Sequence, residues 1–191
     1  MEKFAVTELL SGEEVDASNE KERECYDTLN NLGIKFQIVK YNFFPSDIEN
    51  LNLIDEKIQV KGIKNLIFRT KNKEQYFFII IPRDDRFDEK LFRNKYNLPK
   101  ISMATNNELK DLLKTHSGAV SIMELANDEK GIIKLFIVKS ILENDFFRFH
   151  PNENSATVRI SMLDFKEKLI PYLKHDVNIL WSNKINSYVK D

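Results

Sequence analysis

Cysteine is almost absent from the chain, where Cys25 stands alone. A single cysteine excludes an intramolecular disulfide and any zinc or iron–sulfur site that needs several thiolates. Cys25 shares a predicted helical face with Leu29 and Leu32, as residues three to four positions apart do. Its sequence neighbours bring no excess of positive charge that would stabilise a thiolate. We therefore interpret Cys25 as a core residue rather than as a nucleophile.

Glycine and histidine are also scarce, and their spacing argues against several kinds of active site. The five glycines match neither a phosphate-binding loop nor a dinucleotide-binding fingerprint. No Gly-x-Ser-x-Gly sequence occurs, which argues against the common serine hydrolase layout. The three histidines, His116, His150 and His175, are far apart and have no paired carboxylate motif. We therefore expect the protein to use no cofactor and no metal ion.

Long apolar runs and an excess of charge of one sign are missing as well. The longest purely apolar run, Tyr76–Ile81, is far shorter than the roughly 20 residues needed to cross a bilayer. The 29 basic and 30 acidic side chains leave a formal net charge of -1, so no global positive field attracts nucleic acid or an anionic membrane. The acidic N-terminal segment lacks the apolar block of a secretory signal. We expect a soluble, cytoplasmic protein with no membrane or DNA partner.

What is present indicates one ordinary globular domain. Hydrophobic residues make up 42% and charged residues 31% of the 191 positions, which is typical of a folded chain with a solvated surface. A chain of this length can bury a core but is short for two domains. We predict a peripheral extension at residues 1–18, a domain at 19–181 and a tail at 182–191.

The hydrophobic periodicity predicts alternating helices and strands. Helices are predicted at 20–32, 88–96, 106–113 and 161–169, and strands at 35–39, 64–69, 76–81, 101–104, 132–138, 157–160 and 177–180. Asn19 with Glu22 resembles a capping box, Gly33 is a stop signal, and Pro171 should end or kink the last helix. Because a hairpin accompanies the interleaved elements, we predict the mixed α/β class, with a central mixed or antiparallel sheet flanked by helices.

Two segments carry the most specific signal in the sequence. Lys61–Arg69 has a Lys-Asn pair opening a strand, and Phe147–Val158 contains a His-Pro pair followed by Asn-Ser-Ala-Thr. Between these two segments, Pro82–Asp88, where a Pro, an Arg and an Asp follow the buried strand, and the glycine loop Ser117–Ser121 also belong to the pattern. Together they resemble the YbaK/ProX family of aminoacyl-tRNA editing deacylases, over about residues 20–180. The glycine loop differs from the family's Gly-x-x-x-Pro pattern at Ile122.

The resemblance implies a fold, an activity and a set of site residues. It implies a YbaK/ProX-like domain that hydrolyses the ester of a mischarged tRNA and so supports translation fidelity. Lys64, His150 and Gly118 are the implied catalytic residues, with the backbone amides near Gly118 holding the carbonyl. The implied substrate-binding residues are Asn65, Ser121, Phe149, Asn154 and Thr157.

Elementary chemistry supports part of this assignment independently. An aminoacyl ester is already activated, so the enzyme needs only to place a water molecule and stabilise the developing oxyanion. Lys64 can supply positive charge and Asn65 can donate or accept hydrogen bonds. His150 precedes Pro151, which favours extended backbone and can direct the imidazole into a pocket. Without the resemblance, Lys64 would be interpreted as a solvated lysine and His150 as a turn histidine.

Several of the implied substrate-binding residues have structural alternatives. Phe149 is either a core residue of an alternating strand or an aromatic wall that limits the depth of the pocket. Ser121 is either a hydrogen-bonding site residue or ordinary turn chemistry. Asn154 and Thr157 either bind the substrate or hold their loop through hydrogen bonds to the backbone.

The His150–Thr157 segment most resembles the branch of the family that deacylates alanyl-tRNA(Pro). Mischarged tRNA(Pro) is therefore the expected partner, and prolyl-tRNA synthetase is the candidate protein partner. The alternatives are a deacylase for cysteinyl-, seryl- or threonyl-tRNA and a non-catalytic module that binds tRNA or a synthetase. A regulator unrelated to tRNA is disfavoured because no helix carries basic residues on one face for reading DNA.

Overall fold

The structure is a computed structural model that describes residues 3–45, 47–183 and 187–188. The strands are β1 Leu10–Ser11, β2 Phe36–Lys40, β3 Ile63–Thr70, β4 Tyr76–Pro82, β5 Ile101–Met103, β6 Ile133–Val138, β7 Phe146–Phe149, β8 Ala156–Ser161, β9 Val177–Leu180, β10 Ser182–Asn183 and β11 Ser187–Tyr188. The helices are α1 Glu20–Asn31, α2 Ile48–Ile58, α3 Glu89–Lys95, α4 Asn106–Leu113, α5 Lys139–Leu142, α6 Met162–Asp164 and α7 Ile170–Leu173.

The mixed α/β class is confirmed, and the strands divide into two main sheets instead of one central sheet. One sheet is four-stranded and antiparallel in the order β1-β2-β8-β7. The other is five-stranded in the order β5-β3-β4-β6-β9, with β4–β6 and β6–β9 parallel. β4 is the central strand of this second sheet and is buried along almost its whole length, as its continuous apolar run predicts.

Local capping explains where most of the predicted helices begin. The side chains of Asn19, Asp88 and Thr105 accept hydrogen bonds from backbone N–H groups of the first turns of α1, α3 and α4, which satisfies donors that have no partner inside a helix. The capping box predicted at α1 is only half formed, because the Glu22 carboxylate accepts from the N–H of Ser18 at 2.8 Å rather than from Asn19. Helix α2, which follows the cap residue Asp47, was not predicted.

The last helical segment continues past the predicted boundary at Leu169. α6 leads into a π-helical turn at Phe165–Leu169 and then into α7, which contains Pro171 near its start. Proline has no backbone N–H and its ring crowds the preceding turn, and a widened turn is a common way for a helix to accommodate such a disruption. Pro171 thus marks an irregular turn without ending the helix.

The N-terminal segment is packed against the domain. β1 pairs with β2, and Phe4 is buried in a small cluster with Val39, Tyr41, Ile54 and Ile58. The domain limits predicted at residues 18 and 182 stay predictions, and 184–186 and 189–191 of the predicted tail lie outside the described residues. Of the helices in the described ranges, none has the length and apolar character that crossing a bilayer requires.

Candidate active site

A cavity of about 260 Å³ lies beside the first half of β3. Four of the predicted site residues line it, namely Lys64, Asn65, Gly118 and His150. β5 pairs with β3 only at Phe68–Thr70, so the earlier residues of β3 border the cavity along an edge that β5 does not cover. The remaining lining residues are Ile63, Ile67, Met103, Ala104, Leu109, Ser117 and Val120.

Lys64 brings a positive charge to this cavity. It is the second residue of β3, pairs with Ile81 of β4 and is partly exposed. Within the described ranges its ammonium group takes part in none of the ion pairs or side-chain hydrogen bonds. Asp85 lies close enough for the charge of Lys64 to lower its pKa, although desolvation outweighs this effect and raises it. The Lys64 ammonium is therefore available to a bound ester or phosphate.

Asn65 connects β3 to the glycine loop. Its Nδ2 donates a hydrogen bond to the carbonyl oxygen of Val120 at 2.7 Å. Its Oδ1 is buried and has no hydrogen-bond partner among the residues that the structure describes. A buried carbonyl oxygen without a partner is unfavourable by about 1–3 kcal/mol, so a ligand that donates a hydrogen bond there would be favoured.

His150 follows the last residue of β7 and is neutral at physiological pH. Its Nδ1 lies 3.1 Å from the carbonyl oxygen of Ala156. A carbonyl only accepts, so Nδ1 carries the proton and Nε2 keeps a lone pair. Desolvation lowers the pKa of His150 to about 4, the bond to Ala156 opposes this shift, and the positive charge of Arg148 adds to it. Nε2 can therefore accept a hydrogen bond from an ammonium or hydroxyl group, but it is a weak base.

The glycine loop is shaped by Gly118 and held by Ser121. Gly118 has φ +92°, a conformation that side chains disfavour, and its carbonyl accepts a bond from Asn154 Nδ2 at 3.3 Å. Ser121 is fully buried and donates from Oγ to the carbonyl of His150 at 2.6 Å. Its N–H donates to the carboxylate of Glu124 at 2.9 Å, and burial raises the pKa of Glu124 to about 7.

Ile122 occupies the position at which the resembled family's Gly-x-x-x-Pro pattern has proline. It is buried in the core and begins the 3-10 helix Ile122–Asn127, which Ser121 and Glu124 cap reciprocally. Proline is favoured at the first helical position because its N–H would be unpaired there. In this chain the reciprocal hydrogen bonds of Ser121 and Glu124 stabilise the start of this helix.

Tyr41 is a residue of this region that the sequence did not reveal. Its hydroxyl lies 2.8 Å from Asn154 Oδ1 and 3.1 Å from the carbonyl oxygen of Ala156, both acceptors, and 3.5 Å from His150 Nδ1. These contacts hold the His150 side chain and the following loop together. An isolated tyrosine after β2 carries no sequence signal for this role, and the same is true of the apolar lining residues Met103 and Leu109.

Four of the predicted substrate-binding residues lie outside the cavity wall, namely Ser121, Phe149, Asn154 and Thr157. Phe149 is 2% exposed and its ring lies 6.3 Å from that of Phe147, so the structure places it in the core. Thr157 is fully buried on β8 opposite Val39. Ser121 donates to the carbonyl of His150, and Asn154 donates to the carbonyl of Gly118. Cys25 is fully buried and desolvation raises its pKa, which confirms its interpretation as a core residue.

Comparison with known proteins identifies the family. A sequence model of the aminoacyl-tRNA editing domain matches residues 53–168. The prolyl-tRNA editing protein ProX of Acetoanaerobium sticklandii is 32% identical over 124 residues, which cover 65% of this chain and 70% of that protein.

Two solved structures share the fold. One, described as a candidate trans-editing enzyme for prolyl-tRNA synthetase, has a TM-score of 0.62 at 14% identity and covers 87% of this chain and 100% of its own. A second, a hypothetical protein, has a TM-score of 0.56 at 16% identity and covers 83% of this chain and 97% of its own. Because the family match spans more than half of the sequence and includes every polar residue of the cavity, the chain belongs to the aminoacyl-tRNA editing domain family and is a deacylase.

Proposed function

We propose that this deacylase is a trans-editing hydrolase for mischarged tRNA(Pro), with alanyl-tRNA(Pro) as its preferred substrate. The convergence of Lys64, Asn65, Gly118 and His150 on one small cavity carries this proposal. The name of the ProX relative supports tRNA(Pro) as the tRNA. We further infer that the protein acts in the cytoplasm, where prolyl-tRNA synthetase produces the mischarged tRNA.

The size of the cavity supports a small aminoacyl group. A volume of about 260 Å³ lies below the range of about 300–1,000 Å³ typical of drug-sized ligands, so the cavity suits the aminoacyl end rather than a whole nucleotide. Ile67, Leu109 and Val120 make part of its wall apolar. One methylene group changes the free energy of binding by only about 1–3 kcal/mol. Excluding the larger cognate prolyl group by its size is therefore more effective than selecting the smaller group by its apolar contacts.

The proposed mechanism is attack of water on the ester carbonyl without a covalent intermediate. The Lys64 ammonium stabilises the negative charge that develops on the carbonyl oxygen, and the backbone amide of Gly118 donates to the same oxygen. The neutral His150 accepts from the substrate ammonium through Nε2, where a protonated ring would repel it. A hydroxyl of the terminal ribose orients the attacking water. The tetrahedral intermediate then collapses by breaking the bond between the carbonyl carbon and the ester oxygen of the ribose, and the proton lost by the water passes to that ribose oxygen. The products are the free amino acid and the deacylated tRNA, and no strong protein base is needed.

A substrate panel tests the proposal directly. The purified protein is incubated, in excess, with alanyl-, cysteinyl-, seryl- or prolyl-tRNA(Pro). Loss of the labelled aminoacyl ester is followed over time and compared with spontaneous hydrolysis of the same ester. We expect the fastest loss from alanyl-tRNA(Pro) and little loss from prolyl-tRNA(Pro).

Each other outcome favours a named alternative. Faster turnover of cysteinyl- or seryl-tRNA(Pro) would indicate a deacylase of the same fold with a different substrate. Threonyl-tRNA is the third alternative substrate of such a deacylase. Binding of aminoacyl-tRNA without any turnover would indicate a non-catalytic accessory module. Both results would contradict the preference for alanine.

A further inference from the structure

The two principal side chains of the cavity come from different sheets. Lys64 lies near the start of β3 in the five-stranded sheet, and His150 follows β7 in the four-stranded sheet. The distance between them therefore depends on how the two sheets are held together at this end of the molecule.

One buried carboxylate joins the sheets close to both residues. Asp55 of α2 is 9% exposed, and its Oδ1 accepts from Arg148 Nη1 at 2.6 Å and from Arg83 Nη1 at 3.1 Å. Its Oδ2 accepts from Arg83 Nη2 at 3.0 Å and from the N–H of Gly62 at 3.0 Å. Arg148 lies on β7, whereas Gly62 and Arg83 adjoin the paired ends of β3 and β4. We call Asp55, Arg83 and Arg148 the Asp55 clamp.

The clamp acts close to the cavity along both chains. Gly62 comes two residues before Lys64, and Arg148 comes two residues before His150. Extended backbone rises about 3.3 Å per residue, so each anchor point is roughly 7 Å from the residue that it would place. A displacement of the clamp residues would therefore be transmitted through the short extended backbone to Lys64 and His150.

Gly62 shows how closely this arrangement is packed. A Cβ atom at this position would lie 2.8 Å from Arg83 Nη1 and 3.0 Å from Arg83 Cζ. The N–H of Arg83 also donates to the Gly62 carbonyl at 2.8 Å. The Arg83 guanidinium can thus lie over the backbone only because residue 62 has no side chain.

Charge and hydrogen-bond geometry suit a rigid support. A planar guanidinium can bind both oxygens of one carboxylate, which a lysine ammonium cannot reproduce. Arg148 additionally donates to the carbonyl of Val60 at 2.9 Å, and Arg83 donates to Asn52 Oδ1 at 2.9 Å. Both oxygens of Asp55 and both arginines are therefore engaged, as a buried ionic group requires.

We propose that Asp55, Arg83 and Arg148 are positioning residues that set the separation of Lys64 and His150 by clamping the two sheets together. The proposal rests on the deacylase function given above, because the two side chains must contact the same aminoacyl ester. Misplacement of reacting groups by about 1 Å can lower a rate by up to about a hundredfold. The clamp therefore contributes to catalysis without touching the substrate.

Arg83→Lys is the principal test, because it keeps the charge and removes the two-oxygen contact with Asp55. Arg159→Lys is the matched control. Arg159 is also a buried arginine, and it donates to the carbonyl of Ile58 at the end of α2 at 2.8 Å. Arg159 itself lies on β8 of the four-stranded sheet and is not part of the Asp55 clamp. Steady-state kcat and KM for the best substrate of the wild type, thermal unfolding and the NMR signals of the His150 ring are measured for each. Asp55→Asn is a second variant of the clamp, because it removes the negative charge of Asp55 and keeps the shape of the side chain.

We expect Arg83→Lys to lower kcat about tenfold to a hundredfold with little change in KM, and to shift the His150 signals. Arg159→Lys should keep kcat within about threefold and leave the signals in place, even where its melting temperature falls. Normal kcat and unchanged His150 signals in folded Arg83→Lys would overturn the clamp, as would an equal loss of kcat in Arg159→Lys.

Failure of the clamp can be distinguished from failure of the proposed function. A wild-type protein that hydrolyses none of the aminoacyl-tRNAs contradicts the proposed function. The His150 signals need no turnover, so they still decide whether Arg83 and Asp55 position that ring. An active wild type, together with an equally active Arg83→Lys variant whose His150 signals are unchanged, contradicts the clamp alone.

Discussion

Replacing Lys64 with alanine should lower the deacylation rate by about a hundredfold. A unit charge 4 Å from a developing oxyanion contributes about 4 kcal/mol at an effective dielectric constant of 20 and about 1 kcal/mol in bulk water. Lys64 is partly exposed, so we place its contribution between these limits, at about 2.7 kcal/mol. This value matches the lower end of the hundredfold to thousandfold loss seen when one oxyanion-stabilising group is removed.

The same substitution should change stability only slightly. Lys64 makes none of the ion pairs found among the described residues, and partly exposed side chains without such contacts usually alter the free energy of unfolding by less than about 1 kcal/mol. Lys64→Arg should restore activity only in part, because the planar guanidinium places its donors differently from a compact ammonium.

Single-turnover deacylation and thermal unfolding, measured on the same preparations, test both expectations. Lys61→Ala is the matched control, because it removes the same charge from an exposed position three residues earlier outside the cavity lining. It should keep the wild-type rate. A near-normal rate for Lys64→Ala would refute the catalytic role, and a melting temperature that collapses would show that Lys64 is structural.

Further predictions concern the core and the pH dependence of stability. Phe149→Ala should destabilise the fold by about 3–5 kcal/mol, as loss of a buried phenylalanine does; a stable variant with relaxed rejection of prolyl-tRNA(Pro) would instead restore Phe149 to the cavity wall. Burial raises the pKa of Glu124 from 4.5 to about 7, so the folded state holds a proton that the unfolded chain has released. The free energy of unfolding should therefore fall by up to about 3 kcal/mol as pH rises through this window. Glu124→Gln should abolish that slope in denaturant titrations at pH 5, 6, 7 and 8, and a slope that persists would contradict the assignment. Desolvation lowers the pKa of His150 from 6.5 to about 4, so the unfolded chain is protonated first and stability is lost as pH falls from 6.5 towards 4. The ring signals of His150, assigned with His150→Gln, should titrate near pH 4, and a midpoint near 6.5 would contradict a neutral ring.

The elements that were predicted correctly are those encoded by short, continuous stretches of sequence. The hairpin of β3 and β4 has two apolar runs separated by a turn, and α1 and α4 begin at side chains that cap them. Such signals act over a few residues and survive whatever tertiary structure surrounds them. Helix α2 was not predicted, and its residues were assigned to neither a helix nor a strand.

The same division applies to the site. The motif segments contained Lys64, Asn65, Gly118 and His150, and these four residues line one cavity. A motif does not show which way each of its side chains points. Both faces of β7 and β8 are covered by other parts of the protein, because consecutive residues on each strand are buried, and this packing buries Phe149 and Thr157.

The sequence by itself determined the class of fold, the family and the principal cavity residues, because capping, hydrophobic periodicity and motif order are local properties. Only the tertiary structure decided that the strands form two sheets and that Met103 and Leu109 complete the cavity wall. It alone showed that Asp55 binds both Arg83 and Arg148, the latter 93 residues away along the chain. Contacts between distant segments arise from how whole sheets and helices pack, and no short stretch of sequence contains that information.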